Sequence, residues 1–149
     1  MKALALIILI IATHTASAQD STIEIRVRKP VMDDRVFLVV EQMPAYPGGD
    51  DALIKFIRIN VRYPDLEREN NIQGRVVVSF IVETDGSISN IAIRKGVSKG
   101  INKEALRVVG LMPRFRPGRQ SGQSVRVQYI LPIQFRLSDP DIITPPKRS

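Results

Sequence analysis

The chain contains no cysteine, no tryptophan and a single histidine, His14, and these absences remove whole classes of chemistry. Without Cys there is no disulfide framework, no thiolate nucleophile and no Cys-rich zinc site. With one His, placed near the start, no His-based triad can be assembled in a chain that loses that segment. Acidic residues are the minority, 15 Asp plus Glu against 22 Lys plus Arg, for a formal charge of +7. Aromatics make up only 5% of the chain and are not interleaved with the basic residues, so nucleic acid is not an expected partner. One long apolar run exists, near the N-terminus, which excludes a multi-span membrane protein. What is present is ordinary globular material: 149 residues, 44% apolar and 25% charged, enough for one small domain with a core.

The apolar run extends from Ala3 to Ala12 behind Lys2, and Ala16-Ser17-Ala18 follows with the small residues that a signal peptidase needs. Residues 1–18 read as a signal peptide cleaved after Ala18. The rival reading, an inner-membrane anchor, has about half of the ~20 apolar residues that a spanning helix requires. Cleavage removes Lys2 and His14, which lowers the charge from +7 to +6 and leaves no histidine. No Cys is available at that point for a lipid anchor. The expected mature protein is soluble and lies outside the cytoplasm.

Residues 19–38 read as a loosely attached arm, with Ile23, Ile25 and Val27 alternating against Glu24, Arg26 and Arg28 as a brief strand would. Val36 to Val40 is a short apolar run. The two prolines and two glycines from Pro44 to Gly49 exclude regular structure there. Asp50 is a candidate N-cap for a helix whose Leu53, Phe56, Ile57 and Asn60 share one face, ended by Pro64, which also suits the first position of a second short helix through Arg68. After Gly74 the period becomes two, with Val76, Val78, Phe80 and Val82 on one face. Thr84-Asp85-Gly86 turns the chain back into a strand from Ile88 to Lys95. Asn102 is expected to cap another helix, with Ala105, Leu106, Val109 and Met112 inward and Pro113 as its stop. Arg116 to Gly122 reads as a basic loop. The last strand alternates from Val125 to Leu137, and residues 138–149 read as a flexible tail.

These elements imply an α+β domain over residues 39–137: a three-stranded antiparallel sheet in the order second, first, last, with helices packed on one face. The last strand is then an edge. Pro132 agrees, because a proline in a central strand leaves a ladder acceptor without its donor. If Pro132 faces outward, Gln128, Ile130 and Gln134 do so too, and their backbone groups are open to an incoming strand. Pro132 with Arg126 and Arg136 also protects such an edge from aggregation. Both readings hold at once, and an open edge further allows a homodimer.

Six short stretches, in this order, carry a family resemblance. They are Met43-Pro44-Ala45-Tyr46-Pro47-Gly48-Gly49, Tyr63-Pro64, Gln73-Gly74-Arg75-Val76-Val77-Val78, Thr84-Asp85-Gly86, Arg116-Pro117-Gly118 and Leu131-Pro132-Ile133-Gln134-Phe135. Together they resemble the C-terminal domain of the energy transducer TonB, from about Val39 to Leu137. The resemblance implies a non-catalytic periplasmic module that takes up the TonB box of an outer-membrane receptor as an added strand. By position, the docking strand is Arg126 to Gln134, including Gln128 and Ile130, and Asn60 and Tyr63 would lie near the peptide. An inner-membrane motor would be reached through another protein. No cofactor and no metal are implied.

The residues alone also bear on other classes. Arg114, Arg116 and Arg119 in one loop, with the net positive charge, suggest binding of anionic glycan or lipid head groups. Ser98-Lys99 and Asp50-Asp51 are the nearest approach to reactive pairs. The first reads as a turn and the second as a helix start, so no enzyme is expected.

Overall fold

The structure, a computed structural model, describes residues 34–137. The signal peptide, the strand expected over Ile23 to Val27 and the tail lie outside the described residues. Five strands and three helices follow one another as β1 (Val36–Phe37), α1 (Asp50–Asn60), α2 (Asp65–Glu69), β2 (Gly74–Val82), β3 (Ile88–Lys95), α3 (Lys99–Gly110), β4 (Gly118–Gln120) and β5 (Gln123–Phe135). The sheet order is β1-β5-β2-β3, with β4 paired to β5 beside this path. The three long strands therefore stand in the expected order, and β1 and β4 are additions.

β2 is the spine. Its Val76, Val78, Phe80 and Val82 are buried, as period-two alternation requires when one face is covered. Beneath them lie Leu53 and Ile57 of α1 and Ile101, Ala105, Val108 and Val109 of α3, joined by Leu131, Ile133 and Phe135 of β5. Complete burial of such a side chain contributes about 1.5–3 kcal/mol, so this layer fixes the sheet against the helices.

Several local expectations are corrected. Helix α1 starts at Asp50, with Gly49 rather than Asp50 at the N-cap, in a backbone conformation of φ 85° that glycine adopts without strain. Pro64 stands one position before α2, at its N-cap. Helix α3 begins at Lys99, not beyond Asn102: Ser98 is the cap, its hydroxyl accepting from the Ile101 N–H at 3.2 Å, and Asn102 instead accepts from the Val97 N–H. Ser98-Lys99 is thus a helix start. The carboxylate of Glu67, itself buried, accepts from the Ser98 hydroxyl and the Gly100 N–H at 2.8 and 2.9 Å. Only glycine fits at position 100, since a Cβ there would stand 2.1 Å from that carboxylate. The helix ends at Gly110, before Pro113 is reached.

The basic loop is also more ordered than its composition suggests. Residues 118–120 turn back on β5 as a hairpin, and Ala45 and Gln42 bridge to Arg116 and Arg119. The Pro- and Gly-rich stretch before α1 is therefore tied down along its length. At the β2–β3 turn, the Gly86 carbonyl accepts from the Phe115 N–H at 2.8 Å, which stitches the hairpin to the segment after α3.

Candidate functional site

The alternation that builds β5 also sorts its groups. Val127, Leu131, Ile133 and Phe135 are buried and Tyr129 is half-buried, so Gln128, Ile130, Pro132 and Gln134 occupy the face away from the helices. Ile130 is 44% exposed. On one side β5 pairs with β2 without a slip, from Gly74↔Phe135 to Val82↔Val127. Pro132 stands opposite Val77 in that ladder. Because proline has no N–H, this is a pair that exchanges no hydrogen bonds, and the rule of alternation assigns Ser79↔Ile130, Ile81↔Gln128 and Arg75↔Gln134 the same character. The backbone groups of Gln128, Ile130 and Gln134, and the Pro132 carbonyl, consequently aim away from β2.

What lies on that outer side differs along the strand. β1 runs parallel to β5 with Val36↔Arg126 and Phe37↔Val127. The last strand is thus not a bare edge throughout, and the expected docking stretch is already covered at its first two positions. From Gln128 to Phe135 no strand other than β2 pairs with β5 among the described residues.

Arg126 is fully engaged where it stands. Its Nε and Nη2 donate to the Glu83 carboxylate at 2.7 and 3.1 Å, and its Nη1 donates to the Asp34 backbone oxygen and Oδ1 at 2.9 and 2.6 Å. Glu83 also accepts from the Ser89 hydroxyl. The Arg126 hydrogen bond, chiefly, holds the Glu83 carboxyl below the ordinary glutamate range, against an opposing push from partial burial. Alternation identifies Arg126 as a residue of this strand, whereas its partners Glu83 and Asp34, 43 and 92 positions away, gave no local signal.

The other two candidate residues lie at the far end. Tyr63 sets its ring edge-on against Phe135 at 5.8 Å and donates its hydroxyl to the Ile72 carbonyl. Burial, with a smaller contribution from Glu67, raises its pKa. The Asn60 side chain donates to the Phe56 carbonyl, and its own carbonyl accepts from Arg107. The structure therefore brings Tyr63 up to β5, while the hydrogen bonds of Asn60 are spent within α1 and on α3.

Behind the edge is an aromatic platform. Tyr129 stacks on Phe80 with centroids 5.2 Å apart and planes at 20°, and Phe115 meets both rings edge-on at 5.5 and 5.6 Å. Tyr46 closes the cluster against Phe115. Such contacts add roughly 0.5–1.5 kcal/mol each beyond area burial and tie β5 to β2 and to the segment after α3.

The opposite edge is built differently. The β2–β3 register shifts between Val77 and Val78 and again between Ser79 and Ile81, and Asn90 takes φ 49°. Bulges twist an edge away from foreign strands, so β3 is defended where β5 beyond Val127 is not. Of the basic cluster, Arg114 is paired to Asp85 at 2.9 Å, while the backbones of Arg116 and Arg119 bridge to Ala45 and Gln42 and both residues border one shallow cavity.

Comparison with known proteins bears on this architecture. The family described as Gram-negative bacterial TonB protein C-terminal matches residues 59–137. No curated protein matches the chain. Among solved structures, two solution structures of the Helicobacter pylori TonB C-terminal domain are similar. One has 26% identity and a TM-score of 0.45, covering 60% of this chain and 94% of that one. The other has 25% identity and a TM-score of 0.46, covering 62% and 88%. The solution structure of the Pseudomonas aeruginosa TonB C-terminal domain shows 26% identity and a TM-score of 0.41 over 53% of this chain and 80% of that one. The family match takes in the end of α1, both strands of the hairpin, α3 and the whole of the edge strand, and the chain is a member of the TonB C-terminal family.

Proposed function

We propose that this protein is a periplasmic, non-catalytic binding module of TonB-dependent transport that captures the TonB box of an outer-membrane receptor by adding it as a strand along β5. The observation that carries the reading is the outer side of Gln128–Phe135: outward-aimed backbone, no described strand partner there, no bulge, and a rigid aromatic backing. Strand addition needs little else, since main-chain hydrogen bonds supply affinity and alternate side chains supply selectivity. About five new backbone hydrogen bonds at ~0.5–1.5 kcal/mol each, with side-chain contacts at Ile130, approach the ~8 kcal/mol of micromolar binding.

The periplasmic assignment rests on the family, whose domains are periplasmic, and on reading residues 1–18 as a cleaved signal peptide. Among the described residues no helix is long and apolar enough to cross a membrane. The test is an NMR titration of the isotope-labelled chain with a synthetic TonB-box peptide. Amide shifts concentrated at Gln128, Ile130 and Gln134 are expected, with β3 largely silent. Absence of any shift at millimolar peptide, or shifts confined to β3, would defeat the reading.

A further inference from the structure

The docking edge carries its own obstruction. β1 is two residues long and is in register with Arg126 and Val127, the first two positions of the expected docking stretch; Phe37, opposite the inward-aimed Val127, reaches the flanking Arg126 carbonyl and Gln128 N–H. Arg126 has the same parity as Gln128 and Ile130, so the backbone groups that β1 occupies belong to the same outward row that an incoming strand would use. One row of groups serves one strand at a time.

The hold of β1 is slight and identifiable. Strands of this length have no independent stability. A further fastening is the pair between Asp34 and Arg126, whose acidic partner is 94% exposed and therefore contributes little. Arg126 itself does not depend on the arm, because Glu83 grips its other nitrogens. Immediately after Phe37 the chain leaves the edge, with Leu38 and Val39 68% and 80% exposed.

Taking the strand-capture reading as its basis, we infer that Asp34–Phe37 is a displaceable latch: it closes the Arg126 end of the docking edge and must be peeled off by any strand that reaches Arg126. A strand confined to Gln128–Gln134 competes with it only for the Gln128 N–H, which the Phe37 carbonyl takes in this register. The arm thereby sets how much of an incoming segment is read. When the competent state is only partly populated, apparent affinity falls by that fraction, so a longer strand gains when the latch is removed and a shorter one does not.

The full chain with Asp34→Ala and Phe37→Pro tests this, since the first change removes the ion pair and the second removes a strand N–H beside Arg126. Each form is titrated with a seven-residue TonB-box peptide and with two nine-residue versions, extended by two residues at one terminus or the other so that one of them reaches Arg126. The double variant should bind one nine-residue peptide about tenfold tighter than the unmodified chain does, and the seven-residue peptide within twofold. In the unmodified chain, the Phe37 amide signal should move to an unpaired position with that nine-residue peptide only. Equal affinities for all peptides, with the Phe37 signal unmoved at saturation, overturn the latch and leave strand capture standing. If no peptide binds either form, strand capture itself fails and the latch falls with it.

Discussion

Proline at Ile130 separates the outer ladder of β5 from the inner one. The Ile130 N–H has the parity of Pro132, a proline that the strand already accommodates opposite Val77, so no hydrogen bond to β2 is lost. The side chain is 44% exposed on the face away from the helices, and its removal opens no cavity. The folding cost is then of the order of strand propensity, about 1 kcal/mol, or a fall in Tm of roughly 4–8 °C. For an incoming strand the loss is larger. One donor disappears, and the pyrrolidine ring crowds the neighbouring bond, so about two hydrogen bonds are lost, ~1–3 kcal/mol in all, and affinity falls about 5- to 150-fold. Isothermal titration with a TonB-box peptide and thermal unfolding are run side by side on Ile130→Pro, Ile130→Ala and Leu131→Pro. The alanine variant keeps the N–H and should bind nearly normally. Leu131→Pro loses an inward N–H and a fully buried side chain and should not fold. Undiminished capture by Ile130→Pro, or its unfolding alongside Leu131→Pro, would refute the parity on which the site rests.

Three further outcomes test the supports of the edge. Glu83 has a depressed folded pKa, so its contribution is present above the unfolded glutamate pKa and is lost as pH falls through the folded value. Chemical denaturation of the unmodified chain and Glu83→Gln should therefore show a gap that is constant near neutrality and closes in acid; a gap independent of pH would contradict the pairing with Arg126. Gly86→Ala should cost more than about 2 kcal/mol, because φ is 85° and the new Cβ would lie 2.0 Å from the Phe115 carbonyl oxygen, and an unchanged melting curve would count against that contact. Glu67→Ala should cost about 1–3 kcal/mol by leaving the half-buried Gly100 N–H without its acceptor, whereas Glu67→Gln should recover part of this; equal stability of all three forms would exclude the carboxylate as a cap.

Period-two patterning made β2, β3 and β5 legible, because eight to thirteen residues of alternation leave little choice of face. Pro132 likewise marked β5 as lying at the side of the sheet, since proline reports directly on a missing donor. β1 and β4 could not be read in the same way. At two and three residues they have no period, and they exist because Arg126 and Val125, far along the chain or across a turn, offer a ladder to join. The misread start of α3 has a similar cause. Ser98-Lys99-Gly100 looks like a turn until Glu67, 31 positions earlier, is found filling the space that a side chain at 100 would need. The site was visible where it depends on local alternation and hidden where it depends on distant partners such as Asp34 and Glu83.

Under the proposed role the two ladders of β5 carry unequal loads, and the inequality has a direction. The captured strand and β2 lie on opposite sides of β5, so any pull transmitted through the receptor crosses β5 into β2. On the inner side nine consecutive pairs are in register, and Val127, Leu131, Ile133 and Phe135 anchor the strand in the core. On the outer side only the alternate backbone groups between Gln128 and Gln134 are open, one of them lacks an N–H, and no side chain of the captured segment can enter the filled core. Ladders loaded along their length yield where fewer bonds share the load. The captured strand must therefore part from β5 before β5 parts from β2, and the domain survives each release intact. Pro132, which thins the outer ladder without touching the inner one, serves that order of failure as well as it serves protection from aggregation.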